Sequence, residues 1–237
     1  MKPPFPKCFK KETKPSKFCP GCGQSIILKM LGEVIDELGI SSSVVYGCDI
    51  GCMLLSWDFF DLNTVQTHHG RTVPTLVGLK KANPEFVAIA YMGDGGAYAI
   101  GSQHFLAAAH RNDPITIIVA NNTNYAMTGG QMAPTTFLGE KTTTTPQGRS
   151  FESEGKPMLG PELVRFINSD AYVARGSSLY PLKLKEYFKK AILHQTNRKS
   201  LAFVEVLSAC PTNWRTDAKA TIEFLKNLEK NYPLGEK

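Results

Sequence analysis

The sequence of 237 residues contains no apolar run that approaches the ~20 residues a helix needs to cross a bilayer. Its first residues also lack the apolar stretch of a secretory signal. The formal net charge of +6 is modest, and beyond the basic first seventeen residues the lysines and arginines are scattered rather than gathered in a stripe for nucleic acid. We therefore expect a cytoplasmic protein that binds neither a membrane nor nucleic acid.

The beginning of the chain also lacks the apolar pattern of a core element. Residues 1–17 contain four prolines and many lysines, so we expect an extended tail over residues 1–18. The whole sequence is 42% hydrophobic, which is enough to bury a sizeable core. We expect residues 19–237 to form a single domain.

Two short apolar runs predict the centre of a sheet. Residues 86–92 (FVAIAYM) and 115–120 (ITIIVA) are uninterrupted and rich in strand formers, as in strands covered on both faces. Between them, residues 97–110 are rich in helix formers. A strand–helix–strand unit makes a right-handed crossover, so both strands end at the same edge. The pattern predicts an α/β fold, an open parallel sheet with helices on both faces.

Polar residues follow both runs. Gly93-Asp94-Gly95 closes the first and Asn121-Asn122 the second, so Asp94 and Asn122 should point into one crevice, where open α/β sheets bind ligands. Carboxylate and amide oxygens suit a hard cation, and Mg²⁺ usually completes its shell with water and phosphate oxygens. The two glycines after Asp94 would let the backbone approach phosphate. The pattern indicates a Mg²⁺–diphosphate clamp, with a structural turn as the alternative.

Further elements follow from periodicity and punctuation. Helices are predicted at 24–38, followed by Gly39, and at 72–82, stopped by Asn83-Pro84. The remaining predictions are strands at 44–46, 171–174 and 201–207 and helices at 182–195 and 217–231. Residues 129–160 are rich in Thr, Gly and Pro and lack periodicity. A long loop directly after the clamp favours a wall or lid of an active site.

Four of the six cysteines lie where loops would meet at one end of the sheet. Cys19 and Cys22 flank Pro-Gly just before a helix, Cys52 closes a small-residue loop, and Cys210 follows the last predicted strand. Two thiolates at the Cys-x-x-Cys spacing can hold one metal centre, and the motif alone fits zinc, a redox site or iron–sulfur.

Together these motifs resemble those of the 2-oxoacid:ferredoxin oxidoreductases, in particular the β subunits of the 2-oxoglutarate and 2-oxoisovalerate type. The likeness runs from Cys19 to about residue 214 and includes His69-Gly70-Arg71, the run YAMTGGQ at 125–131 and the segment 132–149. It implies the thiamine diphosphate-binding fold, with thiamine diphosphate, Mg²⁺ and one 4Fe–4S cluster as cofactors.

The resemblance also implies roles for single residues. The Mg²⁺ ligands would be the side chains of Asp94 and Asn122 and the backbone carbonyl of Asn124. His69 is the candidate catalytic residue, with a structural histidine as the alternative. The implied cluster ligands are Cys19, Cys22, Cys52 and Cys210. The residues implied to line the diphosphate and thiazolium are Gly51, Met53, Gly93, Gly95, Gly96, Ala126 and Met127.

Cys8 and Cys48 are the two cysteines left over. Cys48 stands in the same loop as Cys52, but Ile50-Gly51-Cys52 fits the family pattern better. We therefore interpret Cys8 and Cys48 as ordinary thiols.

In the resembling family, a 2-oxoacid, coenzyme A and oxidised ferredoxin give acyl-CoA, CO₂ and reduced ferredoxin. The chain would be a catalytic β subunit acting on 2-oxoglutarate or branched-chain 2-oxoisovalerate, and its basic balance suits encounter with an acidic ferredoxin. The glutamate that activates the aminopyrimidine lies on a partner subunit in that family, and no glutamate here stands in a motif for that role. We expect an α subunit to complete the site, with γ and δ subunits as further candidates.

A different function remains open. The same motifs suit a non-oxidative thiamine diphosphate decarboxylase or synthase component whose four thiolates bind structural zinc. Iron content distinguishes the two, because only the oxidoreductase needs a cluster.

Overall fold

The computed structural model describes residues 5–10, 12 and 16–237. Runs of β-branched and small apolar residues form the central strands of its main sheet. The strands of the main sheet are β1 Val44–Cys48, β2 Asn63–Gln66, β3 Val87–Gly93, β4 Thr116–Asn121, β7 Tyr172–Ser177, β8 Ala202–Leu207 and β9 Gly235–Glu236. Over the described ranges the sheet has seven strands in the order β2-β1-β3-β4-β8-β7-β9, all parallel except β9. A separate antiparallel ribbon consists of β5 Asn124–Tyr125 and β6 Gln131–Met132.

Helices cover both faces of the sheet. They are α1 Gln24–Leu38, α2 Thr72–Ala82, α3 Ser102–Arg111, α4 Phe151–Glu154, α5 Gly160–Ile167, α6 Pro181–Arg198, α7 Pro211–Trp214 and α8 Ala218–Asn231. Helices α1 and α6 pack on one face, and α2, α3 and α5 pack on the other, each with its own buried apolar cluster. Helix α8 covers the end of β8. The predicted fold class, an open parallel sheet with helices on both faces, is confirmed.

The first two helices have the predicted bounds. Helix α1 ends at Leu38, and Gly39 follows with a φ of 65°, the left-handed conformation that glycine adopts without steric cost. The predicted neighbours at 86–92 and 115–120 are β3 and β4, which pair in parallel. Their carboxyl ends therefore meet at one edge, as the crossover rule requires.

The helix predicted at 97–110 is divided in two. A π-helical turn, Gly96–Ile100, precedes α3, and Gly101 lies between them. A Cβ on Gly101 would lie 2.8 Å from the carbonyl oxygen of Gly70, so the backbone of another loop crosses here. This close approach is a tertiary contact, so the local sequence does not predict the break in the helix. π-helical turns are frequent at functional sites.

The described residues of the predicted tail lie against the domain. Phe9 forms an isolated antiparallel bridge with Phe60, and the Lys10 N–H donates to the Phe59 carbonyl at 2.8 Å. Cys8 and Phe18 are buried on the face that α1 covers. Within the described parts of the chain, no helix is long and apolar enough to span a membrane.

Candidate cofactor site

Most of the predicted site residues line one pocket. It opens where β3 and β4 end, beside the turn that follows β1 and the ribbon β5–β6. The predicted residues in its lining are Gly51, Cys52, Met53, His69, Gly93, Asp94, Gly95, Gly96, Asn122, Asn124, Ala126 and Met127. The remaining three predicted residues, Cys19, Cys22 and Cys210, are not in this lining and group with Cys52.

The carboxylate of Asp94 is buried at the end of β3. Its Oδ1 accepts a hydrogen bond from the Gly95 N–H at 2.9 Å, and its Oδ2 accepts one from the Thr135 hydroxyl. Burial raises the pKa of Asp94 to about 7, although both hydrogen bonds act in the opposite direction. A cation beside this carboxylate would stabilise the charged form that burial disfavours.

The turn after β4 holds two further predicted ligands. Thr123 lies between them with a φ of 61°, a conformation that β-branched residues rarely adopt. The side-chain amide of Asn124 donates to the Asn122 carbonyl at 2.7 Å, and Trp214 Nε1 donates to the same oxygen at 3.2 Å. In the described chain, Oδ1 of Asn124 is buried without a hydrogen-bond partner. Local strain and an unpaired buried oxygen are both typical of a binding site.

These oxygen atoms fit a hard cation. We call Asp94, Asn122 and Asn124 the oxygen clamp, because two neighbouring strand ends bring their carboxylate and amide groups into one pocket. Mg²⁺ prefers oxygen ligands and keeps several positions for water and phosphate, so a few protein ligands are sufficient. The residues present therefore suit Mg²⁺ with a diphosphate.

The two glycines after Asp94 are needed for contacts within the protein. A Cβ on Gly95 would lie 2.1 Å from the ring of Tyr125, and one on Gly96 would lie 1.9 Å from Oδ2 of Asp49. Side chains of the protein thus fill the direction in which a Cβ would point, while both glycines line the pocket, and the approach of their backbone to phosphate stays a prediction. Any larger residue at either position would displace Tyr125 or Asp49.

His69 forms a pair with a carboxylate that the sequence argument did not single out. Its Nδ1 lies 3.0 Å from Oδ2 of Asp49, a fully buried residue just after β1. The other oxygen of Asp49 accepts from the Gly70 N–H at 2.7 Å. Because Asp49 engages Nδ1, Nε2 is the ring nitrogen left for a ligand. This arrangement suits a histidine that positions cofactor or substrate.

Next to the pocket lies the cysteine group, which consists of Cys19, Cys22, Cys52 and Cys210. Cys52 begins a 3-10 helix, Cys52–Ser56, and lines the pocket itself. The loop of Cys19 and Cys22 packs on the segment of Cys210, because the Gly23 N–H donates to the Ala209 carbonyl at 3.0 Å. The group therefore reaches the pocket of the oxygen clamp through Cys52.

The thiols of the cysteine group influence one another. Burial raises the pKa of Cys22 to about 12 and that of Cys52 to about 11, and Cys19 and Cys210 add to both shifts. Among the described residues, no three His, Cys, Asp or Glu side chains are already arranged to hold a metal ion. A metal ion binds the thiolate form of cysteine and displaces the proton. Buried neutral thiols therefore become thiolates when a metal binds. Four such donors suit an iron–sulfur cluster or zinc.

The other two cysteines lie in the apolar core. Cys48, in β1, points its Sγ toward the carbonyl of Val65 at 3.9 Å, and the Sγ of Cys8 lies 3.5 Å from the carbonyl of Gly32. Burial raises the pKa of both thiols. Their surroundings are those of ordinary buried thiols.

Comparison with known proteins identifies the family. Residues 49–206 match the sequence model of the thiamine pyrophosphate enzyme C-terminal TPP binding domain. The chain is 34% identical over 232 residues to the 2-oxoglutarate synthase subunit KorB of Archaeoglobus fulgidus. The alignment covers 98% of this chain and 82% of that protein. The chain belongs to the β-subunit family of the 2-oxoacid:ferredoxin oxidoreductases.

Other relatives agree with this family. Ketoisovalerate oxidoreductase subunit VorA of Methanothermobacter thermautotrophicus is 40% identical over 221 residues, which is 92% of this chain but 46% of that protein. The chain thus spans about half the length of VorA. The structure of 2-oxoglutarate:ferredoxin oxidoreductase from Magnetococcus marinus, with 2-oxoglutarate, coenzyme A and succinyl-CoA bound, matches with a TM-score of 0.82 at 30% identity. That match covers 96% of this chain and 74% of the other.

The match to the thiamine diphosphate-binding domain begins at Asp49 and ends inside β8. It therefore includes the whole oxygen clamp. Cys19, Cys22 and Cys210 lie outside it.

Three residues around the site were not predicted from the sequence: Asp49, Thr135 and Glu140. Asp49 directly follows a buried strand, so the strand-end rule that selected Asp94 would also have selected it. Glu140 approaches the oxygen clamp from the long loop: its Oε1 lies 2.6 Å from the hydroxyl oxygen of Thr123, and that same oxygen lies 2.7 Å from the Asn122 carbonyl. The Thr123 hydroxyl thus has two possible acceptors, the Asn122 carbonyl and the Glu140 carboxyl group. Burial raises the pKa of Glu140 to about 8, although the hydrogen bond from Thr123 acts in the opposite direction.

Arg149 holds the long loop in place. The sequence allows this arginine or Lys141 to pair with a distal substrate carboxylate. In the structure the Arg149 side chain is buried, and its N–H groups are directed at main-chain carbonyls. The carbonyls are those of Ala133, Pro134, Thr136, Glu154, Gly155 and Lys156, at 2.6 to 3.4 Å. Lys141 lines a neighbouring cavity of about 810 Å³ rather than the candidate pocket.

No glutamate of the described chain lines the pocket. Glu33 forms a salt bridge with Lys185 between α1 and α6 at 2.7 Å, and Glu205 is buried against Arg175 at 2.5 Å. The group that would activate an aminopyrimidine is thus not among the residues lining this pocket.

Proposed function

We propose that this chain is the catalytic β subunit of an enzyme that couples oxidative decarboxylation of a 2-oxoacid to the reduction of ferredoxin. Coenzyme A accepts the acyl group, and CO₂ leaves. One observation carries the proposal: Cys52, a member of the cysteine group, lines the same pocket as the oxygen clamp. A cofactor bound there lies beside an electron acceptor.

In this proposal the oxygen clamp anchors the cofactor. Asp94, Asn122 and the Asn124 backbone would hold the Mg²⁺ to which a diphosphate binds. When bound, thiamine diphosphate would supply a thiazolium ring, which accepts the electrons left behind when CO₂ departs. Gly51, Met53 and Met127 form the pocket wall around it. His69, oriented by Asp49, presents Nε2 to cofactor or substrate.

The cysteine group holds a 4Fe–4S cluster. Ferredoxin accepts single electrons, so an oxidoreductase needs a one-electron carrier beside the pocket, and zinc cannot serve because it has no redox chemistry in proteins. Cys52 brings this carrier to the pocket wall.

The active site is completed by an α subunit, with γ or δ subunits as further members of the complex. The pocket lacks a glutamate in its described lining, which is the reason for this part of the proposal. The complex works in the cytoplasm on 2-oxoglutarate or 2-oxoisovalerate, the substrate classes named for the KorB and VorA relatives.

The test is an assay of the assembled complex with 2-oxoglutarate, 2-oxoisovalerate and pyruvate. We expect coenzyme A-dependent reduction of ferredoxin with one of the first two, and four iron atoms per chain at the cysteine group. This chain purified alone, with thiamine diphosphate and Mg²⁺, should show no turnover. Zinc in place of iron, or no reduction with any 2-oxoacid, would favour the non-oxidative alternative.

A further inference from the structure

The hydroxyl of Thr135 reaches the oxygen clamp from the long loop. It donates to Oδ2 of Asp94, while Oδ1 is held by the Gly95 N–H. Each carboxylate oxygen has two lone pairs, so both keep a position for a cation. The two donors fix the plane of the carboxylate within a pocket where the side chain of Asp94 is only 3% exposed.

The main chain on both sides of Thr135 is itself fixed. The carbonyl of Thr135 accepts from the hydroxyl of Tyr232, and those of Pro134 and Thr136 accept from Nη1 of Arg149 at 2.9 and 2.6 Å. Three consecutive carbonyls are thus bound by side chains of buried residues. A loop held in this way can place a hydroxyl with little freedom.

Tyr232 is anchored in turn. Its ring lies against the guanidinium of Arg175, with 5.4 Å between the guanidinium carbon and the ring centroid. Arg175 is fully buried and pairs with Glu205 at 2.5 Å and with Glu162 at 2.6 Å. The hydrogen bond to Asp94 therefore rests on an ion-pair network that lies outside the pocket.

We propose that Thr135 is a positioning residue that aligns the Asp94 carboxylate for its cation before the cofactor binds. This inference rests on the proposed function, since it assumes that Asp94 is a cation ligand. The hydroxyl contacts Asp94, the proposed ligand of the cation. Partners of this kind, which orient a metal ligand, typically change metal affinity by about 10- to 100-fold when they are removed.

The experiment titrates Mg²⁺ into the cofactor-stripped complex at a fixed thiamine diphosphate concentration and follows binding by calorimetry. Thr135→Val keeps the shape but removes the hydroxyl, and it should raise the Mg²⁺ concentration for half-maximal binding by about 10- to 100-fold. Thr135→Ser keeps the donor and should restore most of the affinity. Thr145→Val is the matched control, because this buried threonine of the same loop bonds to Thr142 at 2.7 Å and not to the clamp.

A purely structural role predicts a different result. Thr135→Val would then lower the melting temperature while the Mg²⁺ requirement stayed at the wild-type value, and this outcome would overturn the inference. If Thr135→Val does not fold, Tyr232→Phe decides: a raised Mg²⁺ requirement supports the inference, and an unchanged one rejects it. Wild-type protein that binds thiamine diphosphate without any Mg²⁺ dependence would instead contradict the proposed function.

Discussion

The oxygen clamp and the cysteine group are neighbours, yet the chain builds them in different ways. The clamp comes from one strand–helix–strand unit, and Thr135 and Trp214 donate hydrogen bonds to it. The cysteine group combines residues that lie far apart in the sequence, between Cys19 and Cys210. Its thiols form only weak hydrogen bonds. Hydrogen bonds thus arrange the oxygen site in advance, whereas the described cysteine thiols are not yet arranged around a common metal position.

Removing the carboxylate of the clamp should have the largest effect. Asp94→Ala eliminates its one carboxylate, and we expect Mg²⁺-dependent binding of thiamine diphosphate to weaken at least about 100-fold. Calorimetry on the complex measures the loss, and iron analysis should show an unchanged cluster. Asp61→Ala, at an exposed position, is the control. Full activity of Asp94→Ala would show that the clamp is wrongly assigned.

The reverse pattern is expected when the cysteine group is broken. Cys210→Ser removes one of four thiolates, so iron content and the visible absorption of the cluster should be largely lost while the complex still binds thiamine diphosphate. Cys48→Ser is the matched control, because this core thiol points at Val65 and should leave the iron in place. Equal iron loss in both variants would contradict the choice of ligands.

Removing each metal tests whether the oxygen clamp is more preorganised than the cysteine group. Chelation of Mg²⁺ should leave amide hydrogen exchange around Asp94 and Thr123 nearly unchanged, because their hydrogen bonds remain. Removal of iron should speed exchange around Cys19 and Cys22, whose turn has one internal hydrogen bond, from Cys22 to Cys19 at 3.1 Å. Equal changes in both regions would remove the distinction.

The smallest expected effect is a change in how stability depends on pH. The pKa of Glu140 is about 8 in the folded chain against an ordinary value of 4.5, so between these values the folded state holds a proton that the unfolded state has released. The free energy of unfolding should therefore decrease as pH rises from about 4.5 to 8, by up to ~1.4 kcal/mol per pH unit from this group. Glu140→Gln cannot titrate and should flatten that slope in urea unfolding at pH 5.5, 6.5 and 7.5. An identical slope in both proteins would contradict the assignment.

Local patterns predicted the elements that depend on local chemistry. Helices α1 and α2 are bounded by Gly39 and by Asn83-Pro84, which the sequence displays directly. Strand β2 was missed because its residues, NTVQ, are polar and half exposed at the sheet edge. The break before α3 was missed because it depends on the approach of Gly70, some thirty residues away.

The residues of the site also differ in whether local sequence patterns could predict them. Asp94 and Asn122 could be found from the sequence because strand ends are visible in it. Thr135 could not, because it meets Asp94 across 41 residues and Tyr232 across 97. For Arg149 the sequence predicts either a partner for a distal substrate carboxylate or a surface cation, since no local pattern shows that six carbonyls surround it.

The bonding of Arg149 has a consequence for how this loop can change. Every amino acid carries the same carbonyl, so an arginine that binds carbonyls dictates the course of the polypeptide and is indifferent to the identity of the residues along it. Lys156, whose carbonyl Arg149 binds and whose side chain is exposed, can therefore be exchanged in evolution or by design while the main chain keeps its path.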